Sequence, residues 1–542
     1  QEQTYSVCVS VGDTEFAHLM GQVADHAGVR FAGVQRRGAA FKWHRVLAIR
    51  ILGLAFLTFA IIVSKWHHWR QSGDVKGRHV KSGAPLLYSW YPRVWTDRLG
   101  GWKDMYHGDL VPRLGESLNK EPVLALRIYD RTKYVTPAVY LDRIRRLGKP
   151  GQAPGRYIVL ESFGKVFEVF RNYLSPRDTL KFRSMTRHSD FDAALVWEGL
   201  DMAGLLRPSI WRSVLVAWPH LLALQNTAER AVRHVQPSVA VIYCFEFAYG
   251  RSLIEGTRLG GPDIPVVGLQ HGPISPMKLL YSGTQAERVH SPSGGAPIPE
   301  PDIYAVDGQL ALELMHGRGI PLDCLKAEGT ARFDDVWADA RRLVDLQRNA
   351  EREMTRILIA PGLHDTQYVL AMALSALGQD PGLELVIKAH PKVSVEDVTQ
   401  WVGSSSDGRG ERGATINIVR GGSIYEWMAM SDIFLASYSS TAVEALAFDL
   451  PVILLVPNHT PDMSLFHGHR VQVLRASTSG ALREHVSRLG DDKAFAGDYV
   501  SQMSGLLDDV FGPRDSRASL RLAALCAEMA RRGASTDVVK TG

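Results

Sequence analysis

Cysteine is scarce in this sequence, and the few cysteines are widely separated. The chain has 542 residues and only 4 cysteines, which are Cys8, Cys244, Cys324 and Cys526. No two of them form the Cys-x-x-Cys unit of a zinc ribbon, and so few cannot supply a disulfide-dense framework. This cysteine usage is typical of a protein that works in a reducing compartment.

Strong charge of one sign and the common cofactor motifs are lacking as well. The formal net charge is only +5, from 62 basic and 57 acidic residues, which favours anionic substrates or a membrane surface over nucleic acid. The sequence has no Gly-x4-Gly-Lys-Ser/Thr phosphate loop, no His-Glu-x-x-His motif and no Asp-x-Asp motif suited to a metal-dependent transferase. It therefore predicts no cofactor, no bound metal and no nucleic-acid partner. Four isolated histidines are interpreted as loop residues rather than metal ligands: His364, His459, His467 and His469.

The sequence does contain the composition and the pattern of a large α/β protein. Hydrophobic residues make up 45% of the chain and charged residues 22%, which is a globular composition. The length exceeds one ordinary domain but fits two large α/β domains. From about residue 122 onward, apolar β-rich runs alternate with amphipathic stretches, as in a parallel sheet that is covered on both faces.

Two series of predicted strands indicate two such sheets. We expect an N-terminal extension at 1–115, a first Rossmann-like domain at 116–333, a second at 334–500 and a helical tail at 501–542. The first series is Val123–Ile128, Tyr157–Leu160, Ala194–Trp197, Val239–Cys244, Val266–Leu269 and Ile303–Val306. The second series is Ile357–Ala360, Leu383–Lys388, Ile416–Ile418, Ile433–Ala436 and Val452–Val456.

An apolar run near the N-terminus stands out from this pattern. Val46–Val63 is interrupted only by Arg50, and tryptophans and basic residues flank it on both sides. Three interpretations remain open: a spanning helix, which needs about 20 apolar residues, a helix lying in the membrane interface, or a buried core helix. The flanks predict a membrane surface as a partner. The aromatic stretch Leu86–Leu114 that follows is interpreted as a packed connecting loop or a sugar-stacking wall.

Polar clusters follow two strands of the second series. Leu383–Lys388 runs into His390 and Pro391, and Ile433–Ala436 runs into a serine- and threonine-rich helix start. In an open parallel sheet, ligands bind at the carboxyl ends of strands, and a helix N-terminus favours phosphate. Glu444 is expected to accept hydrogen bonds from ribose hydroxyls, or to form a capping box with Thr441. The predicted donor-binding residues here are Lys388, His390, Pro391, Ser439, Ser440, Thr441 and Glu444.

These motifs carry a resemblance to known families. "KAHPK" followed by "SYSSTAVEALAFDLPVILL" resembles the C-terminal half of several GT-B families: CDP-glycerol glycerophosphotransferases, bacterial sialyl- and polysialyltransferases, and Kdo transferases of capsule and lipopolysaccharide synthesis. The resemblance implies two Rossmann-like domains that face each other across a cleft, and the apolar run Val46–Val63 predicts an N-terminal membrane-proximal extension. It also implies that the His-Pro and Ser-Ser motifs bind the nucleotide and phosphate of the donor.

The first half supplies a second constellation of polar residues. Glu246 follows the strand Val239–Cys244, and His271 follows the next strand along the chain, so both are expected on one edge of one sheet. His271 is the candidate general base, with Glu246 orienting it or acting alone; the alternative is a structural loop histidine. The teichoic-acid polymerases have a similar Trp-His-Gly motif, whereas this sequence has Gln270 in place of the tryptophan.

Two further positions are predicted to contact the donor. "LKAEGTARFDDV" resembles the Gly-x-Pro-Arg-x-Asp turn that leads into the second domain of those polymerases, with Ala331 replacing the proline. Arg332 is then expected either to bind a donor phosphate with two hydrogen bonds or to form an interdomain salt bridge. Gly362, after the strand Ile357–Ala360, allows close backbone approach at the same edge.

The combined prediction is a glycosyltransferase of surface polysaccharide synthesis. It moves a sugar or glycerol phosphate unit from a nucleotide-activated donor, with CMP-Kdo or a CDP-linked unit expected, to a glycan or lipid-linked acceptor. Displacement is direct, inverting and metal-independent, at the cytoplasmic face of the inner membrane. The alternatives are a non-hydrolysing UDP-sugar 2-epimerase and an inactive scaffold of a polysaccharide assembly complex.

Overall fold

The structure is a computed structural model, and it describes most of the chain from Trp43 onward. The described residues are 43–74, 83–91, 94–96, 102–104, 106–129, 136–147, 156–197, 199–281, 283, 285–289, 297–347, 353–362, 365–390, 393–404, 413–419, 423–456, 464–466 and 472–540. Pro391, His364, His459, His467 and His469 lie outside them.

Parallel strands make up both main sheets. The strands in chain order are β1 Leu86–Trp90, β2 Val94–Thr96, β3 Trp102–Asp104, β4 Val123–Arg127, β5 Tyr157–Val159, β6 Val196–Trp197, β7 Leu200–Asp201, β8 Ala240–Tyr243, β9 Val266–Leu269, β10 Ile303–Val306, β11 Leu325–Ala327, β12 Thr355–Ala360, β13 Leu383–Ile387, β14 Thr415–Ile418, β15 Ile433–Ala436, β16 Val452–Leu455 and β17 Leu474–Ala476. The order is β11-β10-β9-β8-β1-β4-β5 in the first sheet and β14-β13-β12-β15-β16-β17 in the second.

Helices cover both sheets. The α-helices are α1 Trp43–Asp74, α2 Leu110–Leu118, α3 Pro137–Leu147, α4 Val166–Leu174, α5 Pro176–Met185, α6 Ser189–Ala193, α7 Ala203–Arg212, α8 Trp218–Val235, α9 Ala248–Gly260, α10 Gln285–Arg288, α11 Gln309–Gly317, α12 Asp334–Gln347, α13 Thr366–Leu377, α14 Val395–Ser404, α15 Ile424–Ala429, α16 Thr441–Glu444, α17 Ser479–Asp491, α18 Lys493–Phe511 and α19 Ala518–Lys540. Strands β4, β8, β9, β10, β15 and β16 are buried along their whole length, as expected of parallel sheets with helices on both faces. The predicted α/β class with two Rossmann-like domains is confirmed.

The first sheet differs from the prediction at three places, one of which is the edge strand β11, which was not predicted. The aromatic stretch interpreted as a connecting loop contains β1, which pairs with β4 and β8 at the centre of the sheet. The first sheet therefore uses residues on the N-terminal side of the boundary expected at 116. The predicted strand Ala194–Trp197 was wrong as a sheet strand, because only β6 forms there and it pairs antiparallel with β7 outside both main sheets.

The C-terminal helix returns to the first sheet. Leu522 and Cys526 of α19 are buried in the core beneath that sheet. The carboxylate of Asp334, at the start of α12, accepts hydrogen bonds from the backbone N–H groups of Ala518 and Ser519, at 3.0 and 2.8 Å. A carboxylate on these N–H groups caps the helix, so the start of α19 is tied to the start of α12.

Helix α1 contains the apolar run and lies against the first domain. It is long and apolar enough to cross a membrane, and 17% of its most apolar window is buried. Its inner face packs against α3 and α4, with Ala60 and Ile61 buried. Polar contacts anchor both ends: Arg50 Nε donates to the carbonyl of Tyr173 at 2.7 Å, and His67 Nε2 lies 3.2 Å from the Tyr157 hydroxyl.

Candidate active site

Glu246 and His271 form a pair at the carboxyl edge of the first sheet. Each follows one of the paired strands β8 and β9, so the two loops emerge side by side. The His271 ring Nδ1 contacts Glu246 Oε1 directly. The Tyr281 hydroxyl donates to the same carboxylate oxygen at 3.1 Å. The Glu246 side chain is 1% exposed whereas that of His271 is 21% exposed, so the histidine forms the open side of the pair.

This geometry sets the chemistry available to His271. A carboxylate at Nδ1 favours the tautomer that carries its proton there, which leaves the Nε2 lone pair available as a base. Burial, and next the charge of Glu246, hold the pKa of Tyr281 well above its usual value, so the Tyr281 hydroxyl remains a proton donor to the carboxylate. The contact at Nδ1 is the one that orientation of His271 by Glu246 would require.

Two further ionisable residues at this edge were not predicted. Asp307 directly follows β10, and its backbone N–H donates to Gln270 Oε1 at 3.0 Å. Burial raises the pKa of the Asp307 carboxyl to about 6, opposed by the charge of Arg332. Lys278 donates to the Pro273 carbonyl at 3.1 Å, and burial lowers its pKa. The strand-end rule that selected Glu246 also selects Asp307, whereas no local pattern marks Lys278.

Gln270 has a structural role in this loop cluster. Its side-chain oxygen accepts from Asp307, and its side-chain nitrogen donates to the Gly272 carbonyl at 2.9 Å. The amide thus ties the loop after β9 to the loop after β10. A tryptophan side chain has no oxygen that could accept the hydrogen bond from the Asp307 N–H. Gln270, which replaces the tryptophan of the Trp-His-Gly pattern, therefore makes a contact here that tryptophan could not make.

Arg332 joins the two carboxyl edges. Its Nη1 donates to the backbone carbonyl of His271 at 3.1 Å. The same guanidinium lowers the pKa of Glu444, which belongs to the second sheet, against a larger rise caused by burial. Its Nε is buried and has no hydrogen-bond partner among the described residues. Arg332 therefore lies near both edges, with its buried Nε unpartnered among the described residues.

The second edge presents hydroxyl groups at a helix start. Helix α16 begins at Thr441 as predicted, and the Thr441 hydroxyl donates to Ser439 Oγ at 2.7 Å. The expected capping box is absent here, because Ser440 is the N-cap residue and makes no side-chain cap bond. Instead Ser440 Oγ and the Tyr425 hydroxyl each donate to the buried Glu444 carboxylate at 3.1 Å. These hydrogen bonds connect Glu444 to the start of α16 and to Tyr425 of α15.

Three other predicted residues lie at the ends of neighbouring strands. His390 and Lys388 follow β13 and are half-buried, and burial lowers the pKa of Lys388 while the charge of Glu426 raises it. A Cβ atom at Gly362, after β12, would lie 3.2 Å from Ser437 Oγ, after β15. The strand ends β12, β13 and β15 thus bring these residues to one edge, as the sequence predicted.

Comparisons with known proteins add the following. No protein-family model matches the sequence, and curated proteins give no significant match. Among solved structures, the chain is similar to UDP-GlcNAc 2-epimerase from Neisseria meningitidis, at 10% identity over 83% of this chain and 100% of that one, with a TM-score of 0.45. It is similar to S. aureus MnaA in complex with UDP, at 12% identity over 81% and 94%, with a TM-score of 0.43. It is also similar to the wall teichoic acid polymerase TagF, at 10% identity over 89% and 98%, with a TM-score of 0.42. Similarity at this level does not bear on activity, which has to be argued from the chain's own residues.

The buried Asp307 carboxyl predicts a pH-dependent stability. Its pKa in the folded protein is about 6, above the ordinary value of 3.8, so the folded state binds this proton more tightly than the unfolded state. The contribution to stability is therefore complete below about pH 4 and is lost as the pH rises through about 6. Asp307→Asn removes the charge. At pH 7.5 we expect the free energy of unfolding of this variant to exceed that of the wild type by about 1–3 kcal/mol.

Urea unfolding at pH 7.5 and pH 5 measures this difference, which should shrink at the lower pH. Asp498→Asn is the control, because Asp498 is exposed and should give no pH-dependent difference. A stabilisation by Asp307→Asn that is equal at both pH values, or a loss of stability at pH 7.5, would contradict the assignment.

Proposed function

We propose that this chain is a nucleotide-dependent transferase that moves a sugar or glycerol phosphate unit onto a surface polysaccharide acceptor. One observation supports this most: an oriented histidine base on one sheet edge faces, across Arg332, a hydroxyl-rich helix start on the other. A base and a phosphate-binding surface on opposite sides of a cleft are what transfer from a nucleotide donor requires.

The first edge is proposed to activate the acceptor. His271 Nε2 removes the proton of the acceptor hydroxyl while Glu246 stabilises the imidazolium that forms. The acceptor oxygen then bonds to the transferred unit, at the anomeric carbon of a sugar or the phosphorus of glycerol phosphate, as the bond to the nucleotide phosphate breaks. Attack from the face opposite the leaving group inverts the centre.

The second edge is proposed to bind the donor and stabilise the leaving phosphate. The helix start at Ser439–Thr441 offers hydroxyl and N–H donors, and Lys388 and Arg332 offer positive charge. His390 completes this side at the end of β13, and Gly362 leaves room for the donor there. These groups neutralise the developing charge without a metal ion. A CMP- or CDP-linked unit, with Kdo first, is the proposed donor, and the proposed acceptor is a glycan or a lipid-linked glycan.

We further propose that the protein attaches to the cytoplasmic face of the inner membrane through one face of α1. The opposite face of this helix packs on the first domain, which favours an interfacial helix over a spanning one. A groove of about 300 Å³, lined by Leu47, Ile51, Leu174 and Leu180, joins α1 to α4 and α5. The exposed apolar side chains of this surface are Leu47, Ile51, Leu52, Ile62, Trp66, Trp69, Phe167, Phe170, Leu174 and Leu180.

Charge near this surface supports the same proposal. Residues 165–187 contain six basic and two acidic residues, and the side chains of Arg171, Arg177, Lys181, Arg183 and Arg187 are exposed. Each basic residue near an anionic lipid surface contributes on the order of 1 kcal/mol to attachment. Apolar insertion and charge attraction then act together.

A 2-epimerase is the second candidate, and the buried Asp307 favours it. A carboxyl with a pKa of about 6 beside Glu246 and His271 adds an acid–base group that simple transfer does not use. Incubation of the protein with UDP-GlcNAc and no acceptor separates the two functions. Epimerised sugar supports the epimerase, whereas transfer that depends on acceptor supports the transferase.

His271→Asn is the test of the proposed base. We expect kcat to fall by about 10²- to 10⁴-fold, with the Kd of the donor from calorimetry within about twofold of wild type, because the donor residues lie on the other edge. A screen of CMP-, CDP-, UDP- and GDP-linked sugars identifies the donor first. His188→Asn is the control, since His188 is an exposed histidine of the same domain. Unchanged kcat in His271→Asn would exclude His271 as the base.

Negative charge introduced on the exposed apolar surface of α1 and α4 is the test of membrane attachment. We expect Leu52→Glu combined with Phe167→Glu to abolish co-sedimentation with vesicles of anionic phospholipid, since both side chains are more than half exposed, at 68% and 77%. Leu322→Glu, at a position 53% exposed on the opposite half of the sheet, should bind vesicles as the wild type does. Circular dichroism checks that all variants are folded. Full binding by the double variant would contradict the proposal.

A further inference from the structure

A third potential metal ligand lies beside the Glu246–His271 pair. The Cys244 thiol, a Glu246 carboxylate oxygen and a His271 ring nitrogen all lie within 4.8 Å of one another. We propose that these three residues bind a thiophilic divalent cation of the Zn²⁺ type, and that the bound ion switches off His271. Cation binding stands by itself, whereas the loss of activity rests on the proposed role of His271 as the base.

The backbone holds Cys244 in place for this role. The residue follows β8 with a φ of 59°, a left-handed conformation that is unusual for a residue with a side chain. The first turn of α9 packs closely against the Cys244 backbone, because a Cβ at Gly250 would lie 2.2 Å from the Cys244 carbonyl oxygen. The thiol is therefore buried at a fixed position beside the carboxylate.

Glu246 has an oxygen available for an ion. Its Oε1 is used by His271 and Tyr281, whereas Oε2 is buried and has no hydrogen-bond partner among the described residues. A buried carboxylate oxygen without a partner is costly. A cation on Oε2 would remove that cost and would place positive charge next to a buried negative one.

The donor set selects the class of ion. Sulfur, imidazole nitrogen and one carboxylate oxygen suit Zn²⁺ and similar borderline metals, whereas Mg²⁺ and Ca²⁺ take oxygen ligands. Donor atoms within 4.8 Å of one another can all reach one Zn²⁺ ion at ligand distances of about 2.0–2.3 Å after small side-chain movements. The exposed side of His271 leaves a fourth position that water or a substrate oxygen can fill from the cleft.

Binding changes the protonation of the site in a defined way. The Cys244 thiol loses its proton to solvent and coordinates as thiolate. The ion takes the Nδ1 position of His271, so the neutral ring carries its proton on Nε2. The lone pair that faced the acceptor hydroxyl is then gone, and transfer stops although donor binding at the second edge continues.

Cobalt titration of the full chain tests the site without any substrate. With Co²⁺ as the probe, the wild-type protein should develop a near-ultraviolet thiolate-to-metal band, which Zn²⁺ removes and Mg²⁺ does not. Cys244→Ser and Cys244→Ala should lose the band, and His271→Asn should weaken Co²⁺ binding by at least about tenfold. Cys324→Ser is the matched control, since Cys324 is a half-buried free cysteine elsewhere in the domain, and it should keep the band.

Activity assays separate the two proposals. Zn²⁺ should inhibit transfer by the wild type, and half-inhibition of Cys244→Ser, relative to its own metal-free rate, should need at least about tenfold more Zn²⁺. No band in the wild type, or an equal band in folded Cys244→Ser, overturns the metal site. A band that depends on Cys244 in a protein without transfer activity supports the metal site and contradicts only the proposed function.

Discussion

The guanidinium of Arg332 is the contact on which the geometry of the site depends. It donates to the His271 carbonyl and lies in the fields of Asp307 from the first sheet and Glu444 from the second. Arg332 is half-buried, and its charge lowers the pKa of one carboxyl in each sheet against the larger effect of burial. One cation therefore acts on both edges, while its hydrogen bond fixes it to the loop that carries His271.

The two edges differ in the kind of polar group they present. The first is built from the ionisable groups Glu246, Asp307 and Lys278, and burial raises the pKa of Asp307 and lowers that of Lys278. The second is built from hydroxyl groups and a helix start, which keep their hydrogen-bonding capacity at any ordinary pH. Proton transfer suits the first environment and phosphate recognition the second, and this division supports the direction of transfer proposed here.

The sequence predicts the positions of the candidate residues that follow strand ends, and it misses those that are placed by packing between distant parts of the chain. His271, Glu246, Ser440 and His390 each follow an apolar strand, so one rule finds them all, and that rule also reaches Asp307. β1 was missed because its sequence mixes aromatic residues with the buried Ser89, and its central place depends on pairing with strands far along the chain. Lys278 precedes the short 3-10 helix Leu279–Tyr281, and only the folded chain brings Lys278 and Tyr281 to Glu246. The apolar run 46–63 left three interpretations open because its packing partners on α3 and α4 leave no trace in its own sequence.

Hydrogen exchange with bound nucleotide tests most directly whether the two edges form one site. Mass spectrometry of the full chain with and without saturating CMP, CDP, UDP or GDP reports protection for each peptide, and it needs no knowledge of the sugar or the acceptor. With at least one nucleotide, we predict protection in peptides covering 385–390, 330–334 and 437–444, and no change in 160–190. Protection that is confined to other segments, or no protection with any of the four nucleotides, would contradict the account.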